Sequence, residues 1–149
     1  MNILVTGGAG YIGSHAIIEL AADGHSVVVI DNLSNSSLES LHRVEKITNT
    51  KILSYQIDLR DNDALDKVFC KNKIDAVIHF AGLKSVGQSV SNPIEYYDNN
   101  IYSTLVLLEK MKKYAVKKLV FSSSATVYGT PSELPLSEKS LVGIEGMGS

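Results

Sequence analysis

Two hydrophobic patterns alternate along the chain: short apolar runs, and stretches with apolar residues three or four positions apart. The runs predict strands over residues 3–5, 26–30, 52–55, 76–80 and 119–121. The spaced stretches predict helices over residues 11–23, 37–47 and 93–114, and a further helix that begins at Asp61. Such alternation indicates a parallel sheet with both faces covered. Right-handed crossovers make it a doubly wound α/β sheet of the Rossmann type.

The longest predicted helix, residues 93–114, has recognisable start signals. Asn92 is the expected N-cap, Pro93 suits the first helical position, and Glu95 completes a capping-box-like pair. The apolar stripe of this helix consists of Ile94, Tyr97, Ile101, Leu105, Leu108 and Met111.

A glycine-rich turn follows the first strand and opens the first helix, with Gly7, Gly10 and Gly13 three residues apart. The expected functions are a tight turn at Gly7, approach of a pyrophosphate to the backbone at Gly10, and close packing of the helix on the sheet at Gly13. The helix N-terminus would present N–H groups and a positive dipole to phosphate. The alternative is a glycine turn without a ligand, which the flanking strand and helix disfavour.

Acidic residues end the second and third predicted strands. A carboxylate at Asp31 would accept hydrogen bonds from both adenosine ribose hydroxyls and repel a 2′-phosphate, which predicts NAD rather than NADP. The alternative is that Asp31 caps the following turn, where Asn32 and Asn35 either contact the ligand or only shape the chain. Asp58 binds the adenine amino group or only starts a turn, and its position favours neither.

Small and polar residues follow the fourth and fifth strands. Ala81 and Gly82 leave space for a flat ring, and residues 122–124 are three serines. Both groups lie beyond the carboxyl ends of the strands, where ligands of such sheets bind. Solvated strand ends are the simpler explanation of the serines, and Lys84 is by default a surface lysine. His79 lies within a strand run and is expected to be a packed core residue rather than an acid or a metal ligand.

Composition narrows the class of protein. The 149 residues are 44% hydrophobic and 20% charged with a net charge of −2, which is ordinary for a globular domain and does not favour nucleic acid or membrane partners. No apolar run of membrane-spanning length and no secretory signal is recognised. Cys70, the single cysteine, is expected to be buried or half-buried, in a reducing, cytoplasmic setting. No residues are assigned to a metal site.

Three segments together resemble the extended short-chain dehydrogenase/reductase family. They are residues 5–15 with Asp31 and Asn32, residues 77–89 with 96–100, and residues 121–129. Many branches of the family share the first segment, whereas the second and third are typical of its nucleotide-sugar 4-epimerases. Related dehydratases carry an acidic pair where this chain has Ala125 and Thr126. The resemblance runs from residue 1 to about residue 140.

The resemblance implies an NAD cofactor and a UDP-hexose substrate whose glucose and galactose forms interconvert through a 4-keto intermediate, in galactose metabolism. The cofactor contacts it implies are Gly7, Gly10, Tyr11, Ile12 and Gly13 for pyrophosphate, Asp31, Asn32, Asn35, Asp58 and Leu59 for adenosine, and Phe80, Ala81, Gly82, Lys84 and Asn99 for the nicotinamide half. Ser124 would be catalytic, through a hydrogen bond to the reacting sugar hydroxyl. Ser124, Ala125 and Thr126 would contact the substrate.

One departure from the family pattern affects the expected activity. The family's proton transfer uses a Tyr-x-x-x-Lys motif, which is expected to be absent, since Tyr128 is the only tyrosine near the third segment and Ser132 stands in the lysine position. Residues 1–142 are interpreted as an incomplete NAD-binding Rossmann domain and 143–149 as an irregular tail, with the sugar-nucleotide-binding domain absent. The chain alone is expected to be inactive, and helix 93–114 to expose an apolar face, because the partners that the family's homodimer places against it are missing.

Two other functions stay open at this level. One is another NAD-dependent nucleotide-sugar enzyme of the family, such as a decarboxylase or 4,6-dehydratase. The absence of a Thr-Asp-Glu sequence after the fifth strand disfavours the dehydratase. The other is a non-enzymatic NAD-binding module, which the missing motif favours. The fold does not decide between these functions, because it hosts many.

Overall fold

The computed structural model describes residues 1–129 and 134–142. Its sheet has five parallel strands in the order β3-β2-β1-β4-β5. The strands are β1 (Asn2–Thr6), β2 (Ser26–Asp31), β3 (Leu53–Gln56), β4 (Ala76–His79) and β5 (Leu119–Phe121). All five lie at predicted positions. The order reverses between β1 and β4, as in a doubly wound sheet, so the predicted Rossmann-type fold class is confirmed.

Helices connect successive strands. They are α1 (Tyr11–Ala22), α2 (Leu38–Thr48), α3 (Asn62–Lys71), α4 (Val86–Ser91), α5 (Pro93–Tyr96) and α6 (Ser103–Lys113). A π-helical segment, Tyr97–Tyr102, joins α5 to α6, and a short 3-10 helix spans Ala125–Tyr128. The short helix α4 was not predicted from the sequence. None of the helices described here is long and apolar enough to span a bilayer.

The core has two layers, one on each face of the sheet. Successive side chains of a strand point to opposite faces, so Leu4 and Val28 pack with α3 and α6, while Val5 and Val29 pack with α1 and α2. One register row crosses the whole sheet through Leu53, Val28, Leu4, Val77 and Leu119. The central strands are buried on both faces, as their continuous apolar sequence predicts.

Side-chain caps begin α2 and α3. The Ser37 hydroxyl accepts a hydrogen bond from the Glu39 N–H at 3.3 Å, and the Asp61 carboxylate accepts one from the Ala64 N–H at 3.0 Å. These contacts satisfy N–H groups that have no partner within the helix. The predicted cap at Asp61 is confirmed.

The prediction for residues 93–114 was partly wrong. The region is helical throughout, but it contains the π segment, and Asn92 makes no side-chain cap. Five residues of the predicted apolar stripe are exposed, in agreement with the expected exposed apolar face, whereas Met111 is buried. The extra residue of a π turn changes the helical phase, so α6 instead buries Ser103, Val106, Leu107, Lys110 and Met111.

Cys70 was predicted to be buried or half-buried and is exposed. The buried positions of α3 are Leu65, Val68 and Phe69. One residue further along the helix is rotated by about 100°, which turns Cys70 away from the core. The predicted tail, residues 143–149, lies outside the described residues.

Candidate functional site

A cleft of about 310 Å³ opens beyond the carboxyl ends of β1, β2 and β4. It lies where the strand order reverses, the usual ligand position in such sheets. Its lining includes all the residues predicted to bind the cofactor: Gly7, Gly10, Tyr11, Ile12, Gly13, Asp31, Asn32, Asn35, Asp58, Leu59, Phe80, Ala81, Gly82, Lys84 and Asn99. Segments distant in sequence therefore meet at one site.

The glycine turn is packed so tightly that side chains do not fit. Gly7 has a φ of +68°, and a Cβ there would lie 2.7 Å from the Ala81 nitrogen. A Cβ on Gly13 would lie 2.3 Å from the Gly7 carbonyl oxygen, so Gly13 permits contact between helix and turn rather than between helix and sheet. Gly8, which the sequence pattern does not single out, faces the sheet instead: its Cβ would lie 2.8 Å from a Val29 methyl group.

The N-terminus of α1 faces this cleft without a side-chain cap. Its N-cap residue is Gly10, which supplies no side-chain acceptor. Tyr11 and Ile12, the first two helical residues, line the cleft and are mostly exposed. The first N–H groups of a helix have no acceptor within it and carry its positive dipole end. This end of α1 therefore suits an anionic group.

Asp31 holds the turn together as well as lining the cleft. One carboxylate oxygen accepts a hydrogen bond from the Ala9 N–H at 3.0 Å. The other accepts from the Leu33 N–H at 2.9 Å and the Ser36 hydroxyl at 2.7 Å. A carboxylate has about four acceptor positions, so one remains for a ligand, and a second becomes available if Ser36 rotates away. The structure thus shows the capping alternative, and the ribose contact stays a prediction.

Asp58 is occupied by protein contacts. Arg60 donates to it from its backbone N–H and from two guanidinium nitrogens, at 2.8–2.9 Å, and Asn32 donates at 3.1 Å. The Arg60 guanidinium beside it holds the pKa of the Asp58 carboxyl well below its usual range. All four acceptor positions are filled by protein donors, and the adenine contact stays a prediction.

Two residues that hold the site were missed at the sequence level. Arg60 links Asp58 to Asp98, 2.5 Å from its Nη1 atom. Asn100 holds the backbone of Leu83 on both sides: its oxygen accepts from the Leu83 N–H at 2.7 Å, and its amide donates to the Leu83 carbonyl at 2.9 Å. Asn100 lies within residues 96–100, which carry part of the resemblance, but it was assigned no function there.

The predicted substrate residues lie apart from the cleft. Ser124, Ala125 and Thr126 are exposed at the 3-10 helix and do not line the cleft, whereas Ser122 does. The Ser124 hydroxyl accepts from the Thr126 hydroxyl at 3.0 Å and caps the 3-10 helix. Their contact with a sugar stays a prediction.

The sequence does contain one Tyr-x-x-x-Lys spacing, at Tyr114 and Lys118, so the expected absence holds only for the region after β5. The Tyr114 hydroxyl donates to the Asp66 carbonyl at 3.3 Å, and the Tyr114 ring stacks on Phe69. Burial is the main cause that raises the pKa of Tyr114, the opposite of what a catalytic base requires. Neither residue of this pair lines the cleft.

Across the described ranges, 1–129 and 134–142, no three His, Cys, Asp or Glu residues are grouped as metal ligands would be.

The sheet order and the glycine turn define an α/β protein of the Rossmann type. The chain belongs to the family whose sequence model is described as GDP-mannose 4,6 dehydratase and matches residues 4–143. This match lies within the extended short-chain dehydrogenases/reductases, which confirms the resemblance.

Several characterised relatives are nucleotide-sugar epimerases. The chain is 59% identical over 138 residues to UDP-glucose 4-epimerase of Bacillus subtilis (strain 168), covering 93% of this chain and 41% of that protein. It is 58% identical over 143 residues to UDP-glucose 4-epimerase of Yersinia enterocolitica, covering 96% of this chain and 43% of that protein. The chain thus spans about two fifths of the length of these relatives.

A solved structure is similar over the same region. UDP-glucose 4-epimerase from Bifidobacterium longum, in complex with NAD+ and UDP, superposes with a TM-score of 0.92 at 58% identity. The superposition covers 96% of this chain and 43% of that chain.

Proposed function

We propose that this chain is the NAD-binding part of a UDP-glucose 4-epimerase. One observation carries the proposal: the uncapped N-terminus of α1, the glycine turn and Asp31 meet at one cleft beyond the parallel strands. The relatives named above, which carry that activity, share more than half of their residues with this chain over the matched region. The conclusion for the whole protein, an NAD-dependent isomerase, rests on this likeness.

The lining of the cleft has the chemistry that NAD binding requires. The start of α1 supplies N–H donors for pyrophosphate. Asp31 retains one acceptor position for ribose, and its negative charge disfavours a 2′-phosphate. The absence of a side chain at Gly82 leaves open the space between Asn100 and Lys84, because a Cβ there would lie 3.3 Å from Asn100 and 3.7 Å from Lys84. NAD, when bound, supplies the hydride acceptor and donor of the reaction.

The remaining parts of the proposal concern the whole protein. Its substrate is a UDP-hexose, with Ser124 hydrogen-bonding the reacting hydroxyl and Ala125 and Thr126 near the sugar. Its pathway is galactose metabolism, its location cytoplasmic and its assembly a homodimer. Domain bounds of 1–142, followed by a short tail, belong to the same proposal. The exposed apolar stripe before and within α6 supports the homodimer.

Titration calorimetry of the purified chain with NAD and with NADP tests the cofactor. We expect NAD to bind and NADP to bind at least about tenfold more weakly, because the 2′-phosphate meets the Asp31 charge. The Asp31→Asn variant keeps one acceptor oxygen for the turn but loses the charge. It should weaken NAD binding about tenfold and reduce the preference over NADP.

Asp63→Asn is the matched control, because Asp63 is an exposed acid in the first turn of α3 and does not line the cleft. Circular dichroism establishes that each variant is folded. Equal affinity for NAD and NADP, or unchanged selectivity in Asp31→Asn, would contradict the proposal.

Turnover of UDP-galactose tests the activity of the chain by itself. We expect none, because Tyr114 packs against α3 and neither it nor Lys118, the one Tyr-x-x-x-Lys pair of this sequence, lines the cleft. Measurable epimerisation by the pure chain would show that another residue performs the proton transfer.

A further inference from the structure

Within residues 1–129 and 134–142, His79 is the most deeply buried titratable side chain that the cofactor contacts do not use, with 2% of its surface exposed. It is the last residue of β4, directly before the segment Phe80–Lys84 that lines the cleft. Its Nδ1 lies 2.5 Å from the Thr6 hydroxyl at the end of β1. Its Nε2 lies 3.0 Å from the Thr104 hydroxyl on α6. The ring therefore bridges a strand and a helix behind the cleft.

The partners of Thr104 fix which ring nitrogen carries the proton. The Thr104 hydroxyl donates its only hydrogen to the Asn100 carbonyl, at 2.6 Å. It must then accept from His79, so Nε2 carries the hydrogen. In a neutral ring Nδ1 is consequently an acceptor, and the Thr6 hydroxyl donates to it. The Thr6 oxygen is left to accept from the Ala81 N–H, 3.4 Å away.

These hydrogen bonds, together called the circuit, form one continuous series along the wall of the cleft. Donation runs from Ala81 through Thr6 to His79, and from His79 through Thr104 to the backbone of Asn100. The Asn100 side chain returns to Leu83, where it holds both the N–H and the carbonyl. Ala81 and Leu83 are thus tied at the two ends of one circuit, with Gly82 between them.

The surroundings of the ring favour the neutral form that this circuit requires. Burial, and to a smaller extent the charge of Lys84, lowers the pKa of His79 to about 4. The Phe121 ring, 5.6 Å away, closes another side of the imidazole. A second ring proton would point at the Thr6 hydroxyl and reverse the donation that reaches Ala81.

We infer that His79 is a positioning residue, whose neutral Nε2–H form sets the backbone of Ala81, Gly82 and Leu83 for the nicotinamide half of the cofactor. The inference rests on the proposed function for the identity of the ligand. The hydrogen-bond circuit itself is a property of the chain alone, so its test separates from that of cofactor binding.

The first test is the tautomer itself. Long-range ¹H–¹⁵N spectra of the full chain, with His79→Gln used for assignment, report the protonation of each ring nitrogen. We expect His79 to show a protonated Nε2 and an unprotonated Nδ1 from pH 7 to pH 5. A proton on Nδ1, or a charged His79 ring at pH 6, would overturn the inference.

The second test separates positioning from folding. Thr104→Val removes the acceptor of the Nε2–H, and Thr104→Ser keeps it in the same place. We expect Thr104→Val to weaken NAD binding about five- to tenfold, the effect of one hydrogen bond, and to leave binding of ADP, which lacks the nicotinamide half, within about twofold. Thr104→Ser should restore NAD binding.

Equal losses for NAD and ADP in Thr104→Val would mean that Thr104 only supports the fold, and would overturn the inference. If the unaltered chain binds no NAD, the proposed function fails instead. The circuit is then judged by hydrogen exchange of the Leu83 amide, which should speed up in Thr104→Val and stay slow in Thr104→Ser. An unchanged Leu83 exchange rate in Thr104→Val would overturn the circuit.

Discussion

At the scale of single residues, the same backbone conformation has different costs in different surroundings. Gly7 and Gly24 both adopt a positive φ, of +68° and +74°. A Cβ on Gly24 would meet nothing within 4 Å, whereas one on Gly7 would strike the backbone of Ala81. At Gly24 glycine is required only for the positive φ. At Gly7 it also permits the close approach of β1 to the segment after β4.

Alanine substitution at these two positions isolates the steric part. We expect Gly24→Ala to lower the free energy of unfolding by about 1–2 kcal/mol, the cost of a left-handed alanine. Gly7→Ala should lose a further 1–3 kcal/mol or so, because backbone must move. Urea unfolding of both variants measures the difference. Equal losses of unfolding free energy in the two variants would show that the close approach to Ala81 does not affect stability.

His79 makes stability depend on pH. Its pKa falls to about 4 in the folded chain and is near 6.5 when unfolded, so between these values the unfolded state binds more protons. Stability is then complete above about pH 6.5 and declines by roughly 3 kcal/mol as pH falls to 4. Urea unfolding from pH 7 to 4 should show a smaller decline in His79→Gln than in the unaltered chain.

His42→Gln is the control for this pH series, since His42 is exposed and only pairs with Glu39 at 3.8 Å. It should keep the full decline. A pH profile of His79→Gln that parallels that of the unaltered chain would contradict the assignment.

At the scale of elements, local signals predicted local structure well. Asp61 caps α3 as expected, and the β-branched run of β2 is a buried strand. The start of the long helix was less predictable, because Asn92 lacks the contact that its residue type suggests. Within the site, residue type located Asp31 but not its three protein donors, which come from chain folding back on itself. Arg60 and Asn100 were missed for the same reason.

An ion cluster joins α3 to α6. Asp66 lies 3.1 Å from the buried Lys110 ammonium and 2.6 Å from that of Lys113. We expect Asp66→Asn to lower the urea midpoint clearly, because it leaves the Lys110 charge buried without a counter-charge. Lys113→Met, which keeps the buried pair, should change the midpoint much less. The idea fails if the two variants lose equal stability.

At the scale of the whole molecule, apolar surface is concentrated on one side of the long helix. Ile94, Tyr97, Ile101, Leu105 and Leu108 are each more than two fifths exposed. Residues of β5, at the edge of the sheet, are exposed as well. Contiguous apolar surface of this kind usually marks an interface. The sequence pattern located five of the six stripe residues, with Met111 buried instead, because periodicity alone does not show which apolar face of a helix the core covers.

We therefore expect the chain to self-associate with rising concentration. Leu105→Lys places a charge in the middle of the stripe and should shift sedimentation-velocity profiles toward the monomer, because burying an unpaired charge is costly. Asp63→Asn, an equal change of charge at an exposed position on α3 rather than on the stripe, should leave association unchanged. A monomeric unaltered chain at high concentration would refute this expectation.

The π segment between α5 and α6 changes the direction in which side chains leave the helix. Residues on the two sides of it can therefore contact two different neighbours, the core and the wall of the cleft. On the C-terminal side of the segment, Leu107 and Met111 of α6 pack against the core. Within it and just after it, Asn100 and Thr104 face β4 and the cleft wall. Deleting one residue from the segment would rotate everything before it by about 100° relative to α6. The number of residues in the segment Tyr97–Tyr102 is thus constrained by the two sets of contacts on either side of it.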